Sequence, residues 1–211
     1  MNNTSPWRHL LYKELSQITL HGAVLDLGGS KLSGYHELIQ GTPIITTVNM
    51  NTEIAPDFLL DLEKPIPLKD ETYDGILCVN TLEHIFNYQN LIKESERLLK
   101  VGGTIVIAVP FLIQLHPSPN DYFRYSNQVL EKIFAAAGFK EVIVTSVGKG
   151  PFTAAAQILF NVLYIAPFRS LARWCGGVLD VLFHVTIKLF GKENHYTKMY
   201  YPLGFVVVAK K

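Results

Sequence analysis

The sequence predicts an α/β fold, a doubly wound and mostly parallel sheet of seven strands with helices between them. Two observations predict it. Short apolar runs flanked by turn residues recur along the 211 residues, and several are separated by segments of helical period, the alternation from which helix-covered sheets are built. One run, Val24-Leu25-Asp26-Leu27-Gly28-Gly29-Ser30, ends in an acidic residue and a glycine pair, and reads as a buried strand feeding a tight turn. Glycine lacks a Cβ and tolerates positive φ, so such a turn lets backbone approach a ligand and presents amides where a helix begins. An ordinary strand-to-helix turn without a ligand has the same pattern.

Taken in order, residues 1–20 carry Pro6, Trp7, Arg8, His9, Lys13 and Glu14 among their leucines. They lack the apolar core of a secretory signal and read as an amphipathic first helix. Strands are expected over 23–27, 43–48, 58–60, 73–79, 104–109, 141–147 and 203–209, and helices over 32–39, 91–99 and 129–137. In the second helix Leu91, Ile92, Ser95, Leu98 and Leu99 share a face opposite most of the charges, so one side packs on the sheet. Gly102-Gly103 is expected to end it in a left-handed turn. Ser126 is placed to cap the third helix, which Gly138 ends. No internal repeat interrupts the chain, and residues 1–211 read as one domain.

Composition narrows the function. A net charge of +1 without blocks of like charge gives no footprint for nucleic acid. Cys78 and Cys175 stand far apart in apolar stretches and form neither a disulfide framework nor a zinc cluster. No metal is expected, and a reducing, cytoplasmic location fits. The dinucleotide fingerprint G-x-G-x-x-G is absent: Gly28 and Gly29 are adjacent, and Gly34 is misplaced as a third member.

Four blocks in this order resemble the class I methyltransferases that use S-adenosylmethionine, and among them the type 11 family: Val24-Leu25-Asp26-Leu27-Gly28-Gly29; Asp61-Leu62-Glu63-Lys64-Pro65-Ile66-Pro67-Leu68, followed by Thr72-Tyr73-Asp74-Gly75-Ile76-Leu77-Cys78; Asn80-Thr81-Leu82-Glu83-His84-Ile85; and Leu98-Leu99-Lys100-Val101-Gly102-Gly103-Thr104. The resemblance covers roughly 23–147 and the last strand. It implies a Rossmann-like sheet with an antiparallel last strand, and S-adenosylmethionine as cofactor. It places Gly28, Gly29 and Ser30 in the loop against the methionyl part, with Asp26 ordering that loop and, directly or through water, meeting the ammonium group. Asp61 then accepts from the adenine amino group, the Leu62 amide meets a ring nitrogen, and Asn80 lines the methionyl end. A plain turn role for Asp61 before Pro65 is the alternative. One departure concerns the ribose: where the family carries an acidic residue, this chain reads Thr47-Val48-Asn49-Met50-Asn51. Asn49 can bond a diol without the strength of a charge-assisted contact.

After the fifth strand comes His116-Pro117-Ser118-Pro119-Asn120-Asp121-Tyr122-Phe123-Arg124-Tyr125, which resembles an H-x-x-P-x-D-Y-x-R-Y element of part of that family. His116 is the candidate general base, Arg124 a candidate clamp for a phosphate or carboxylate, and Asp121 the residue that orients either. The alternative is a salt bridge between Asp121 and Arg124 that pins the loop. Glu83 and His84 are adjacent, and neighbours on a helix do not face the same way, so His84 is expected to be a packed residue.

Residues 151–190 form an apolar helical insertion before the last strand. Thr153, Gln157 and Asn161, then Arg169, Arg173, Asp180, His184 and Lys188, leave a narrow polar stripe on it. It fits a lid, a homodimer interface, a peripheral membrane contact at the inner face of the membrane, or extra helices packed on the sheet; a transmembrane hairpin is also open. The expected function is methyl transfer from S-adenosylmethionine to an oxygen of a small or lipid-linked, or glycan-linked, acceptor. A cofactor-binding module without turnover and a nicotinamide-dependent enzyme are the rivals.

Overall fold

The structure, a computed structural model, describes residues 4–190 and 200–211, so the start of the expected first helix lies outside the described residues. Helix α1 (Pro6–Leu15) leads into β1 (Thr19–Leu27), β2 (Gln40–Asn49), β3 (Phe58–Leu59) and β4 (Tyr73–Val79). Helix α2 (Tyr88–Leu98), β5 (Leu99–Pro110), α3 (Asn127–Ala136), β6 (Lys140–Val147), α4 (Pro151–Phe160), α5 (Ala166–Leu189) and β7 (Gly204–Lys210) follow. The seven strands form one sheet in the order β3-β2-β1-β4-β5-β7-β6. All neighbouring pairs are parallel except those made by β7, which runs against both β5 and β6. The expected seven strands, their mostly parallel arrangement and the antiparallel last strand are all present.

The central strands are apolar throughout because both sheet faces are covered. One face holds Leu25, Leu27, Ile76, Cys78, Ile105 and Ile107 under α2 and α3; the other holds Val24, Leu77, Val79, Val106 and Ala108 under α1 and α4. Helix α1 starts at Ser5, whose side chain accepts from the Arg8 amide at 3.2 Å, with Pro6 in the first turn. Ser126 caps α3 by accepting from the Val129 amide, and Gly138, with φ of 99°, follows its end.

Two expectations need correction. The predicted helix over 32–39 is only a 3-10 turn, His36–Leu38. Gly34 has low helix propensity, Ser30 and Ser33 bond their own loop, and Tyr35 and His36 are drawn onto Asp26, so local side-chain bonds defeat the helix. The glycine loop therefore feeds no helix N-terminus, and α1 with α4 covers that face. Second, α2 stops at Leu98 and the strand begins at once, so Gly102, with φ of 79°, is an irregularity inside β5 rather than a helix end.

Candidate functional site

Strands β2 and β4 lie on opposite sides of β1. This is the point in an open α/β sheet where the connections diverge and leave a crevice at the carboxyl ends of the strands. A cavity of about 520 Å³ occupies it, lined by Gly28, Asn49, Met50, Leu60, Asp61, Leu62, Asn80, Thr81, His84 and the Ser118–Asn120 stretch, among others. Five of the eight predicted cofactor residues, Gly28, Asn49, Asp61, Leu62 and Asn80, thus share one wall. Asp26, Gly29 and Ser30 are not on it.

Their placement has a physical reason. Asp26 is fully buried, and its Oδ2 accepts from Tyr35 Oη at 2.7 Å and meets His36 Nε2 at 2.6 Å. It organises the loop from beneath instead of presenting a carboxylate to the cavity. A Cβ on Gly29 would stand 1.7 Å from Asp26 Oδ2, and one on Gly28, whose φ is 88°, would stand 2.2 Å from Thr81 Oγ1. The glycine pair is required by the side chains packed on it. The Ser30 hydroxyl accepts from the Leu32 amide within the same loop.

Asn49 ends β2, and its amide nitrogen donates to the Gly28 carbonyl at 2.6 Å while its oxygen accepts from the Asn51 amide at 3.0 Å. Asp61 accepts from the Glu63 amide at 3.0 Å and pairs with Lys64. That amide contact is the main reason its carboxyl lies below the usual carboxylate range, and the geometry accommodates both the turn role and a cavity-facing carboxylate. Asn80 follows β4 with φ of 51°, a left-handed conformation that asparagine tolerates better than most residues. Its Oδ1 accepts from Trp7 Nε1 at 3.0 Å.

The loop after β5 closes over this edge. Asp121 and Arg124 form a two-bonded pair at 2.5 and 2.7 Å, and Arg124 also donates to the Phe123 and Gln114 carbonyls. The Arg124 guanidinium holds the Asp121 carboxyl far below its ordinary range. Asp121 in turn accepts from the His116 amide at 2.9 Å, so the pinning role is the one these contacts display. His116 Nε2 lies 3.5 Å from Glu83 Oε1, a carboxylate that raises the imidazole pKa against the effect of partial burial.

The expectation that Glu83 and His84 point apart is corrected. Residues Leu82–His84 form a tight 3-10 turn, and His84 Nε2 lies 3.6 Å from Glu83 Oε1. His84 and His116 meet edge to face at 5.0 Å. The signal was the Glu-His dipeptide itself; the turn type and the return of residue 116 were invisible in the sequence.

The 151–190 segment forms two packed helices. Part of the polar stripe faces inward: Thr153, Gln157 and Asp180 are buried, Gln157 Oε1 accepts from the Trp7 amide at 2.9 Å, and Asp180 accepts from the Phe152 and Thr153 amides that open α4. Large apolar side chains face out, among them Tyr164 (89% exposed), Trp174 (66%) and Phe190 (78%). An apolar cavity of about 870 Å³ lies between α1 and α5, remote in its lining from the sheet-edge residues. Among the described residues no helix is long and apolar enough to cross a membrane.

A family model for the type 11 methyltransferase domain matches residues 44–107, from β2 into β5. An uncharacterised protein of Methanocaldococcus jannaschii is 36% identical over 84 residues, which span 39% of this chain and 37% of that protein. A methyltransferase from Archaeoglobus fulgidus, described as SAM-dependent, superimposes with a TM-score of 0.59 at 16% identity over 96% of this chain and 94% of that one. Phosphoethanolamine N-methyltransferase 2 of Haemonchus contortus, solved with S-adenosyl-L-methionine, gives 0.58 at 15% identity over all of this chain and 54% of its own. The family match runs across the central strands and the fold is shared over nearly the whole length, so the chain is similar to the type 11 methyltransferase domain there and has the fold of S-adenosylmethionine-dependent methyltransferases.

Proposed function

We propose that this protein transfers the methyl group of S-adenosylmethionine to an oxygen of a small or lipid-linked acceptor. The observation that carries the reading is the cavity at the divergence of the strands, whose wall holds Gly28 and Asn80 beside Asn49 and the Asp61–Leu62 pair. These residues fit the donor: a carboxylate and a backbone amide for adenine, polar side chains and bare backbone for the rest. When bound, S-adenosylmethionine supplies a sulfonium methyl that an acceptor oxygen takes by direct displacement, the C–S electron pair returning to sulfur.

The chain's own residues supply position and activate the acceptor. Asn49 offers the ribose an amide already held by the glycine loop, so removing it disturbs both contacts. His116, fixed by the Asp121–Arg124 pair, is the group assigned to activate the acceptor's hydroxyl through Nε2. The outward apolar face of the α4–α5 hairpin favours a lipid surface, where a lipid-linked acceptor is presented in two dimensions. On this reading the protein works at the inner face of the membrane.

Calorimetry with S-adenosylhomocysteine and with NAD tests the donor. We expect micromolar binding of the first, none of the second, and Asn49→Ala weakening the first about tenfold. Binding of NAD alone overturns the reading. The rival of a binding module without turnover is favoured only by the missing ribose carboxylate. Methyl incorporation from labelled cofactor into a cell extract excludes it.

A further inference from the structure

We propose that Glu83, His84 and His116 form a divalent-cation site in the wall of the cavity, with open positions for an oxygen of the acceptor. One carboxylate oxygen and two imidazole nitrogens converge there, every ligand atom within 4.8 Å of the others. Glu83 Oε1 lies 3.6 Å from His84 Nε2 and 3.5 Å from His116 Nε2. A cation about 2.1 Å from each ligand atom needs them roughly 3 to 3.5 Å apart, so both carboxylate–imidazole pairs already stand near coordination spacing.

Hydrogen bonding shows what the cluster lacks. His84 Nδ1 faces the Asn120 carbonyl at 2.5 Å, and His116 Nδ1 faces the Gln114 carbonyl at 3.1 Å. A carbonyl only accepts, so His84 carries its proton on Nδ1 and turns the Nε2 lone pair toward Glu83, while His116 Nδ1 also lies 3.5 Å from the Arg124 guanidinium and 3.3 Å from Asp121. Glu83 is fully buried, and among the described residues neither of its side-chain oxygens has a partner within hydrogen-bonding geometry. Buried carboxylates elsewhere are answered by donors: Glu94 by Arg97 and the Ile66 amide, Asp121 by Arg124. Leaving a buried carboxylate without one is costly. A buried carboxylate facing two imidazole nitrogens is completed by a cation.

The surroundings are those of a supported site. Metal-bound histidines commonly have a carbonyl or carboxylate at their second nitrogen, which fixes the ring, and both rings have one there. The Glu83 carbonyl accepts from the Tyr122 and Phe123 amides at 2.9 and 3.2 Å, tying the turn to the loop that delivers His116. Two imidazoles and one carboxylate suit manganese, iron, cobalt or zinc better than calcium or magnesium. Three protein ligands leave coordination positions, and His84 and Asn120 line the cavity itself, so the ligand class is a hydroxyl or vicinal diol. This rests on the methyl-transfer reading and sharpens it: His116 Nε2 acts through the cation, which binds the acceptor hydroxyl and acidifies it so that its proton passes to solvent before the oxygen takes the methyl.

The test is titration of chelator-treated full-length protein with Mn²⁺, followed by calorimetry and by loss of the free-ion paramagnetic resonance signal, and with Zn²⁺ by calorimetry. We expect one site, weakened at least tenfold in Glu83→Gln and in His116→Ala and unchanged in His21→Ala, a substitution on the exposed start of β1. S-adenosylhomocysteine binding, measured on the same samples, reports folding and the donor site. Retained nucleoside binding without metal binding, or equal metal binding in all variants, overturns the cation site and spares the methyl-transfer reading. Metal binding without nucleoside binding does the reverse.

Discussion

Asp26 shows how one side chain dictates its neighbours. Its burial under Tyr35 and His36 leaves no room for a Cβ at residue 29, so Gly29→Ala is expected to cost about 3 kcal/mol, the upper end of overpacking. Urea denaturation checks this, and S-adenosylhomocysteine binding should fall with it as the loop shifts. Asp57 gives a pH dependence. Lys31 foremost, with the Thr47 amide and hydroxyl, lowers its pKa to about 2, against about 3.9 when unfolded. Because the folded value is the lower one, the contribution is present above pH about 4 and fades as pH falls toward 2. The group is a third exposed, which reduces the contribution to roughly 1 kcal/mol. The stability gap between the wild type and Asp57→Asn should thus be constant from pH 5 to 8 and shrink below pH 4 in urea titrations.

The strands were legible in the sequence because a parallel strand buried on both faces is a plain apolar run, as at residues 73–79 and 104–109. Helix 32–39 was not, because its failure depends on a tertiary partner, Asp26, that pulls Tyr35 and His36 inward. The glycine pair was legible as a motif, but its cause, the packing of Thr81 and Asp26, was not. The convergence of Glu83, His84 and His116 needed a turn type and a distant loop, which periodicity does not encode. Helix α4 illustrates a tertiary cap: Asp180 on α5 satisfies the Phe152 and Thr153 amides that Gly150, without a side chain, leaves open. Asp180→Ala is expected to lower stability by about 1–2 kcal/mol and to loosen α4 first, seen as faster amide exchange over 151–160.

Across the molecule, the sheet edge and the hairpin divide the labour of the proposed function. The first is polar and enclosed; the second turns an apolar side outward, the reverse of a helix that covers a core. Flotation with anionic liposomes is expected to carry the wild type upward, and a variant with Leu182→Gln, Val185→Gln and Leu189→Gln, all outward on α5, to remain below. Equal flotation of both removes the lipid surface, and dimerisation lost in the variant would assign the face to a second copy.

The chain has two tryptophans, and they sit at the two ends of this division. Trp7 is buried, its indole on Asn80 and its amide on Gln157, while Trp174 stands in the open on α5. The molecule thereby carries its own optical reporters, one beside the proposed donor pocket and one on the outer face, whose emissions can be separated by replacing either ring with phenylalanine.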